Sequence, residues 1–291
     1  MATRKRVSIK DIADAAGVSH PTVSRALRGE GRMADATRSR IITIARELGY
    51  TPSLVARGLV TQQSYAIGLI VTNFADPFNT GLAQGLEAEA RQHGYSVFLA
   101  STENDPQLEV DVARGFQGRQ VDGIVVSSSR VGDKYAELLE ETGVPIVLVN
   151  THAQNDRLHA VHNDDYDGAR KIVSYLIDKG YERIAFLGNQ RAGRAQTERH
   201  RAWHDGMVAA GRAIDVLIFG SNGRITGGSS AIDKILAEAE SQWGAPPDAI
   251  CCYNDTMAIG AMWALRQRGF ETPGDIAITG FDDIDVAAYI D

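Results

Sequence analysis

Residues 7–27, VSIKDIADAAGVSHPTVSRAL, constrain this chain more than any other stretch. They read as two short helices joined by a tight turn. Ser8 can cap the first helix, and Asp11, three residues on, completes a capping box. Ile9, Ile12, Ala13 and Ala16 recur at helical spacing and give that helix one apolar face. Gly17 ends it, because glycine enters the left-handed conformation without steric cost. Val18 then points inward and Ser19 can cap a second helix, with Pro21 in its first turn, where a missing N–H is harmless. Val23, Ala26 and Leu27 form the buried face of this helix, leaving His20, Thr22, Ser24 and Arg25 outside. Short polar and basic groups at a helix N-terminus suit contact with base edges and phosphates in a DNA groove. A third helix is expected to open at Asp35 or Thr37, to line its inner face with Ile41, Ile44, Ala45 and Leu48, and to end at Gly49. The competing reading of these residues is an ordinary helical bundle with a solvated basic face.

Charge favours the DNA-binding reading. Residues 1–60 hold 11 Lys and Arg against 5 Asp and Glu, a net of +6. The whole chain holds 30 against 37, so the remaining 231 residues carry 19 against 32, a net of −13. A basic head on an acidic body concentrates phosphate affinity at one end.

From Ser64 the pattern changes to alternating strands and helices. Residues 66–71, AIGLIV, form a continuous apolar run, as in a strand buried on both faces. Strands are then expected at 96–100, 122–126 and 145–149, with helices at 78–93, 106–119 and 132–142 between them. A second set begins near residue 158, with strands at 183–187, 214–219, 248–252 and 275–279 and helices at 165–179, 199–210, 227–241 and 255–268. Repeated βα units imply parallel sheets with helices on both faces. Two successive sets imply two lobes, with a ligand crevice at the carboxyl ends of their strands.

The segment PSLVARGL, residues 52–59, reads either as a plain linker or as a marginal helix. It is short, and Gly58 adds roughly 1 kcal/mol of helix cost relative to Ala. Several motifs are set aside. The run Gly188–Ala195 follows a strand and resembles a phosphate loop, but Arg194 and Ala195 stand in place of the Lys and Ser/Thr that nucleotide hydrolysis needs. His200 and His204 are one helical turn apart without the glutamate of a metalloprotease motif, so an exposed helix face is expected there and no metal site. The clusters Asp164, Asp165, Asp167 and Asp282, Asp283, Asp285 read as helix caps and solvated loops rather than acid–base pairs. No catalytic residue and no cofactor is expected. Cys251 and Cys252 are adjacent in an apolar strand, which suits a reducing compartment better than a disulfide framework. No apolar run is long enough for a signal peptide or a membrane span, so a cytoplasmic protein is expected.

SIKDIADAAGVSHPTVSRAL followed by RELGYTPSLVARGL resembles the head and hinge of the lactose/galactose-repressor (LacI/GalR) family of transcription regulators, and the resemblance runs through nearly all of the chain. It implies a small all-α helix-turn-helix head, residues 1–51, and a hinge, residues 52–62. It implies also an α/β two-lobe sensor domain of the periplasmic-binding-protein type (type I), with parallel sheets and lobes at 63–157 and 158–291. His20, Pro21 and Thr22 would then read operator bases with Arg25 beside them, Ser8, Ser19, Ser24 and Arg57 adding DNA contacts. Leu59 would enter the minor groove as a wedge when the hinge becomes helical on DNA. Pro21 departs from the commoner polar residue and removes a side-chain donor. Members usually continue some tens of residues past GFDD, here Gly280–Asp283, so the C-terminal end is expected to be truncated.

The resemblance also points to a small effector between the lobes, a sugar or sugar derivative. Arg199, read as opening its helix, and Asp255, read either as a helix cap or as an acceptor for ligand hydroxyls, match effector-contacting positions. Asn150, Asn73, Phe74, Ser127 and Asn222 stand at strand ends nearby, and Phe78 is either a stacking face or core. The partners implied are a pseudo-palindromic operator, a carbohydrate effector and a second copy of the chain, with no membrane. A sugar-binding module without DNA function and a sugar-modifying enzyme are the alternatives. The basic head argues against the first, and the lack of a catalytic pair or cofactor loop against the second.

Overall fold

In a computed structural model of the protein, the residues described are 7–50, 63–132, 134–151 and 158–290. They belong to two compact units that divide between Ser64 and Tyr65. The hinge with Arg57 and Leu59 lies outside the described residues.

The head is a three-helix unit of α1 (Ile9–Ala16), α2 (His20–Arg28) and α3 (Asp35–Glu47). Ser8 caps α1 as the sequence pattern requires. Its Oγ accepts from the Asp11 backbone N–H, while the Asp11 carboxylate accepts from the Ser8 backbone N–H at 2.7 Å. Gly17 turns left-handed at φ 63° and closes the helix. Ile12, Ala13, Ala16, Val23, Ala26, Ile41 and Ala45 form one small core. Two expectations fail in detail. Ser19 stands at the N-cap of α2 but its side chain caps nothing, lying instead 2.9 Å from the Thr22 hydroxyl. Leu48 is the C-cap residue, past the end of α3, and is 41% exposed rather than on the inner face.

The body opens with β1 (Ala66–Val71), α4 (Pro77–Gln92), β2 (Ser96–Ser101), α5 (Pro106–Gly118), β3 (Gly123–Ser127), α6 (Lys134–Thr142), β4 (Ile146–Val149) and β5 (His159–Val161). These strands make a parallel sheet in the order β2-β1-β3-β4-β5. It continues with α7 (Asp165–Asp178), β6 (Ile184–Asn189), α8 (Arg194–Ala209), β7 (Leu217–Gly220), α9 (Ile225–Trp243), β8 (Ala249–Cys252), α10 (Asp255–Arg266) and β9 (Ala277–Thr279). The second sheet is also parallel, ordered β7-β6-β8-β9. Each sheet reverses its strand order beside its first strand, which opens a crevice at the carboxyl ends.

Two boundaries move relative to the sequence reading. Strand β5 pairs with β4, so the first lobe runs past residue 158, where the second was expected to begin. Helix α8 starts at Arg194, five residues earlier than expected, so Arg199 sits in its second turn rather than opening it.

Strand burial follows from covering both faces. Strand β6 is buried along its whole length, whereas β2, an edge strand, leaves Phe98 and Leu99 each 45% exposed. Helices α9 and α10 approach through glycine. A Cβ on Gly260 would stand 2.0 Å from the Ile225 carbonyl oxygen, and one on Gly228 2.1 Å from that of Met257. Gly81, exposed in the interior of α4, has no neighbouring atom that a Cβ would touch. Gly260→Ala is therefore expected to lower stability by about 1–3 kcal/mol through overpacking. Gly81→Ala is expected to raise it by about 1 kcal/mol through helix propensity. Urea unfolding of the two variants beside the parent checks both signs.

Candidate functional site

The body holds a cavity of about 560 Å³, within the usual range for small-ligand sites. Its walls come from the carboxyl ends of strands in both sheets. Thr72 and Asn73 follow β1, Glu103 and Asn104 follow β2, Ser128 and Arg130 follow β3, and Asn150 follows β4. From the other lobe come Asn189 at the end of β6, Asn222 beyond β7, Tyr253 beyond β8 and Asp282 beyond β9. Glu103, Asn104, Ser128, Asn150 and Asp282 all have positive φ, and all line the cavity. Left-handed backbone is costly for residues other than glycine, so its concentration at one crevice marks a site where geometry outranks local stability.

Arg199 is the best-anchored charge. It is 4% exposed. Its Nε and Nη2 donate to one carboxylate oxygen of Asp165 at 3.0 and 2.9 Å, its Nη1 donates to the Tyr253 carbonyl at 2.6 Å, and Nη2 also reaches Asp282 at 3.3 Å. The guanidinium carbon lies 3.7 Å from the centre of the Phe281 ring. Asp165 is fully buried and takes a further bond from Arg194 at 3.2 Å. It is thus an ion-pair partner, not the solvated loop residue that its acidic neighbourhood suggested. Asp164 does cap α7, accepting from the Asp167 backbone N–H.

Asp282 lines the cavity with its side chain 11% exposed, and is not the helix cap or solvated loop residue that its acidic cluster suggested. Burial pushes its carboxyl up to about 7, with the nearby Asp76 and Asp255 adding to the rise and Arg199 opposing it. Asp76, which caps α4, is raised as well, mainly by burial.

Asp255 is displaced from the expected role. It does not line the cavity; its carboxylate accepts from the Ile284 backbone N–H at 3.0 Å and so ties down the loop that carries Asp282. The cap of α10 is its neighbour Asn254, which accepts from Met257. Phe74 does not line the cavity and is 53% exposed, whereas Phe78 lines it. Ser127 is buried and donates to Asn79 at 3.0 Å, leaving Ser128 at the cavity wall. Asn73, Asn150 and Asn222 all line it. Asn73 donates to the Glu103 carboxylate, while Asn150 accepts from the Asn163 backbone and Asn222 from that of Arg224. Arg130, Arg191, Arg194 and Arg224 complete the charged lining, and no strand-end pattern in the sequence singles them out.

In the head, Ser8, Ser19, His20, Pro21 and Arg25 are exposed, and Thr22 and Ser24 are half-buried. The Arg25 Nε donates to the Pro21 carbonyl at 3.3 Å, one helical turn back along α2. His200 is not free on its helix face; it stacks on Trp203 beside Phe186. Among the described residues there is no group of three metal-ligating side chains, and no helix is long and apolar enough to cross a membrane.

Comparison with known proteins divides the chain in the same way. The model described as "Bacterial regulatory proteins, lacI family" matches residues 8–53, and that described as "Periplasmic binding proteins and sugar binding domain of LacI family" matches residues 64–289. The HTH-type transcriptional repressor PurR of Aliivibrio fischeri is 31% identical over 97% of this chain and 83% of its own length. Among solved structures, the lac repressor dimer bound to operator and an anti-inducer superposes with a TM-score of 0.86 at 26% identity, covering 98% of this chain and 84% of that one. A complex of the transcriptional regulator CelR with cellobiose gives a TM-score of 0.69 at 27% identity, covering 98% and 85%.

Two outcomes follow from the ion-pair cluster. Arg199→Ala leaves the Asp165 carboxylate buried without its main partner and should cost about 3–5 kcal/mol of stability, read by urea unfolding. A carboxyl with a higher pKa folded than unfolded binds its proton more tightly in the fold. The contribution of Asp282 is therefore complete below its ordinary value of 3.8 and is lost as pH rises through about 7. Stability should fall across that window, and Asp282→Asn should flatten the fall in a pH series of unfolding midpoints.

Proposed function

The chain belongs to the LacI family of bacterial regulatory proteins, and from that premise we propose that it is a cytoplasmic repressor, binding a pseudo-palindromic operator as a homodimer under the control of a sugar-like effector. The observation that carries this reading is the pairing of two sites within one chain. A helix-turn-helix head presents polar and basic groups on α2, and a two-lobe body encloses a polar cavity of about 560 Å³. We assign base reading to His20, Pro21 and Thr22, with Arg25 beside them. Ser8, Ser19, Ser24 and the hinge residues Arg57 and Leu59 serve as further DNA contacts, Leu59 as a minor-groove wedge.

For the effector we assign Asn73, Phe78, Asn150, Arg199 and Asn222, to which Asp282 is added from the cavity lining. Tyr253 and Phe78 supply apolar surface, and the asparagines supply both donors and acceptors, the combination that sugar hydroxyls and ring faces need. Each nitrogen of Arg199 is already engaged within the protein. Its main work is to hold Asp282 and the Tyr253 backbone in place, with a secondary share in ligand contact. The cavity is a binding site, not a catalytic one. Effector shifts the population of the operator-competent state by binding one arrangement of the lobes more tightly than the other.

The test is selection of sites from fragmented genomic DNA by the full chain, followed by titration of a selected site. A pseudo-palindromic site should be enriched, and its affinity should fall steeply with salt. His20→Ala should cost about 1–3 kcal/mol and relax preference at one base position in each half-site. Enrichment of no site, or a His20→Ala variant with unaltered sequence preference, would refute the assignment.

A further inference from the structure

The effector cavity carries more positive charge than a neutral sugar needs. Arg130, Arg191, Arg194, Arg199 and Arg224 line it against Asp76, Glu103 and Asp282. The carboxylates are already engaged. Glu103 accepts two bonds from Asn73 and pairs with Arg224, and Asp282 meets Arg199. Asp165, behind the wall, is shared between Arg199 and Arg194. Among the described residues, neither Arg130 nor Arg191 pairs with a carboxylate.

The Arg130 guanidinium stands at the start of α8. Arg130 reaches from the first lobe, and its Nη2 donates to the Arg191 carbonyl of the second. Its Nη1 lies 3.5 Å from where a Cβ on Gly193 would stand. Gly193 is the N-cap residue of α8, no side chain caps that helix, and Arg194 is its first residue. The Arg130 guanidinium therefore stands beside the positive end of a 16-residue helix, where the chain also carries Arg191 and Arg194. A cation at a helix N-terminus is unfavourably placed, and the half-buried Arg130 guanidinium has no carboxylate partner among the described residues.

The position of Arg130 is built, not incidental. Asn104 Oδ1 accepts from its Nε and Nη2 at 3.1 and 2.8 Å. The buried Glu109 carboxylate accepts from the Arg130 backbone N–H at 3.0 Å and from Ser129 Oγ at 2.5 Å. Ser129 Oγ in turn accepts from the backbone N–H groups of Val131 and Gly132. A braced loop thus holds a cation against the start of α8 across the cavity.

We propose that the effector is an anionic sugar derivative, carrying a phosphate or carboxylate group that Arg130, Arg191 and Arg194 hold at the N-terminal end of α8. The inference rests on reading the cavity as an effector site. An oxyanion satisfies what hydroxyls cannot: it accepts from guanidinium forks and supplies the missing negative charge. It also explains the run Gly188–Ala195, which resembles a phosphate loop yet lacks its lysine and its metal-binding hydroxyl. Arg191 and Arg194 would serve binding there, with no hydrolysis.

The experiment is calorimetric titration of the full chain with matched probes: glucose, gluconate and glucose 6-phosphate, then ribose and ribose 5-phosphate, with inorganic phosphate as a bare anion. At least one anionic probe should bind about tenfold or more tightly than its neutral parent, and that ratio should fall about tenfold in Arg191→Gln and in Arg130→Gln. Gluconate against glucose 6-phosphate separates a carboxylate preference from a phosphate one. A neutral sugar that binds as tightly as its anionic partners overturns the inference and leaves the effector reading standing, as does an anion preference that both variants retain. Silence from every probe, with operator selection intact, overturns both.

Discussion

The guanidinium of Arg199 is the fixed point of the second lobe. A cation buried to that degree is tolerable only when its bonds are made, because removing a charge from water costs several kcal/mol that partial pairing does not return. The partners come from three separate places: the start of α7 through Asp165, the end of β8 through the Tyr253 carbonyl, and the loop after β9 through Asp282. Meeting that one group's needs sets the relative position of all three segments. Two of them, the segments after β8 and β9, carry Tyr253 and Asp282 to the cavity wall. Asp255 acts in the same cause from outside, since its carboxylate pins Ile284 and with it the loop that presents Asp282.

How far the sequence disclosed this depends on which physical signal each residue left. The capping box at Ser8 and Asp11 was legible because its chemistry is complete within four residues. The alternation of strands and helices was legible because apolar periodicity survives whatever the tertiary contacts are. The start of α8 was not: Gly193 caps nothing with a side chain, and RAQTE carries no apolar repeat to mark a first turn. Adjacent candidates were equally opaque. Asn254 and Asp255 could each cap α10, as Asp164 and Asp165 could α7. In both pairs one residue caps and the other turns to a distant partner, a choice made by loops that meet only in the fold. Asp282, Arg130 and Arg191 were missed on the same account, because their roles exist only across the cavity.

Strain and charge at the crevice belong to one design. Left-handed backbone at Glu103, Asn104, Ser128, Asn150 and Asp282 turns the chain at strand ends and sets polar groups around the space instead of letting the strands run on. Burial then lifts the Asp282 carboxyl to about 7, which weakens it as a counter-ion near neutral pH and leaves the arginines relatively dominant, and it raises Asp76 as well. A cavity built in this way is less a finished polar core than half of one.

The other half would come with a ligand, and the contacts between the lobes say why that matters. Across the cavity the described hydrogen bonds are those from Arg130 to the Arg191 carbonyl and from Arg224 to Glu103. The Arg224–Glu103 pair is open to solvent, its side chains 55% and 65% exposed at 3.4 Å. Pairs of that kind contribute about 0–1 kcal/mol. The Arg130 contact is a single hydrogen bond from a guanidinium to a carbonyl oxygen. A ligand that engages both walls therefore competes against weak forces, and a preference of a few kcal/mol for one arrangement of the lobes is enough to set which one is populated. In this body the stiff part is the anchored loop on each side, and the soft part is the gap that the effector would close.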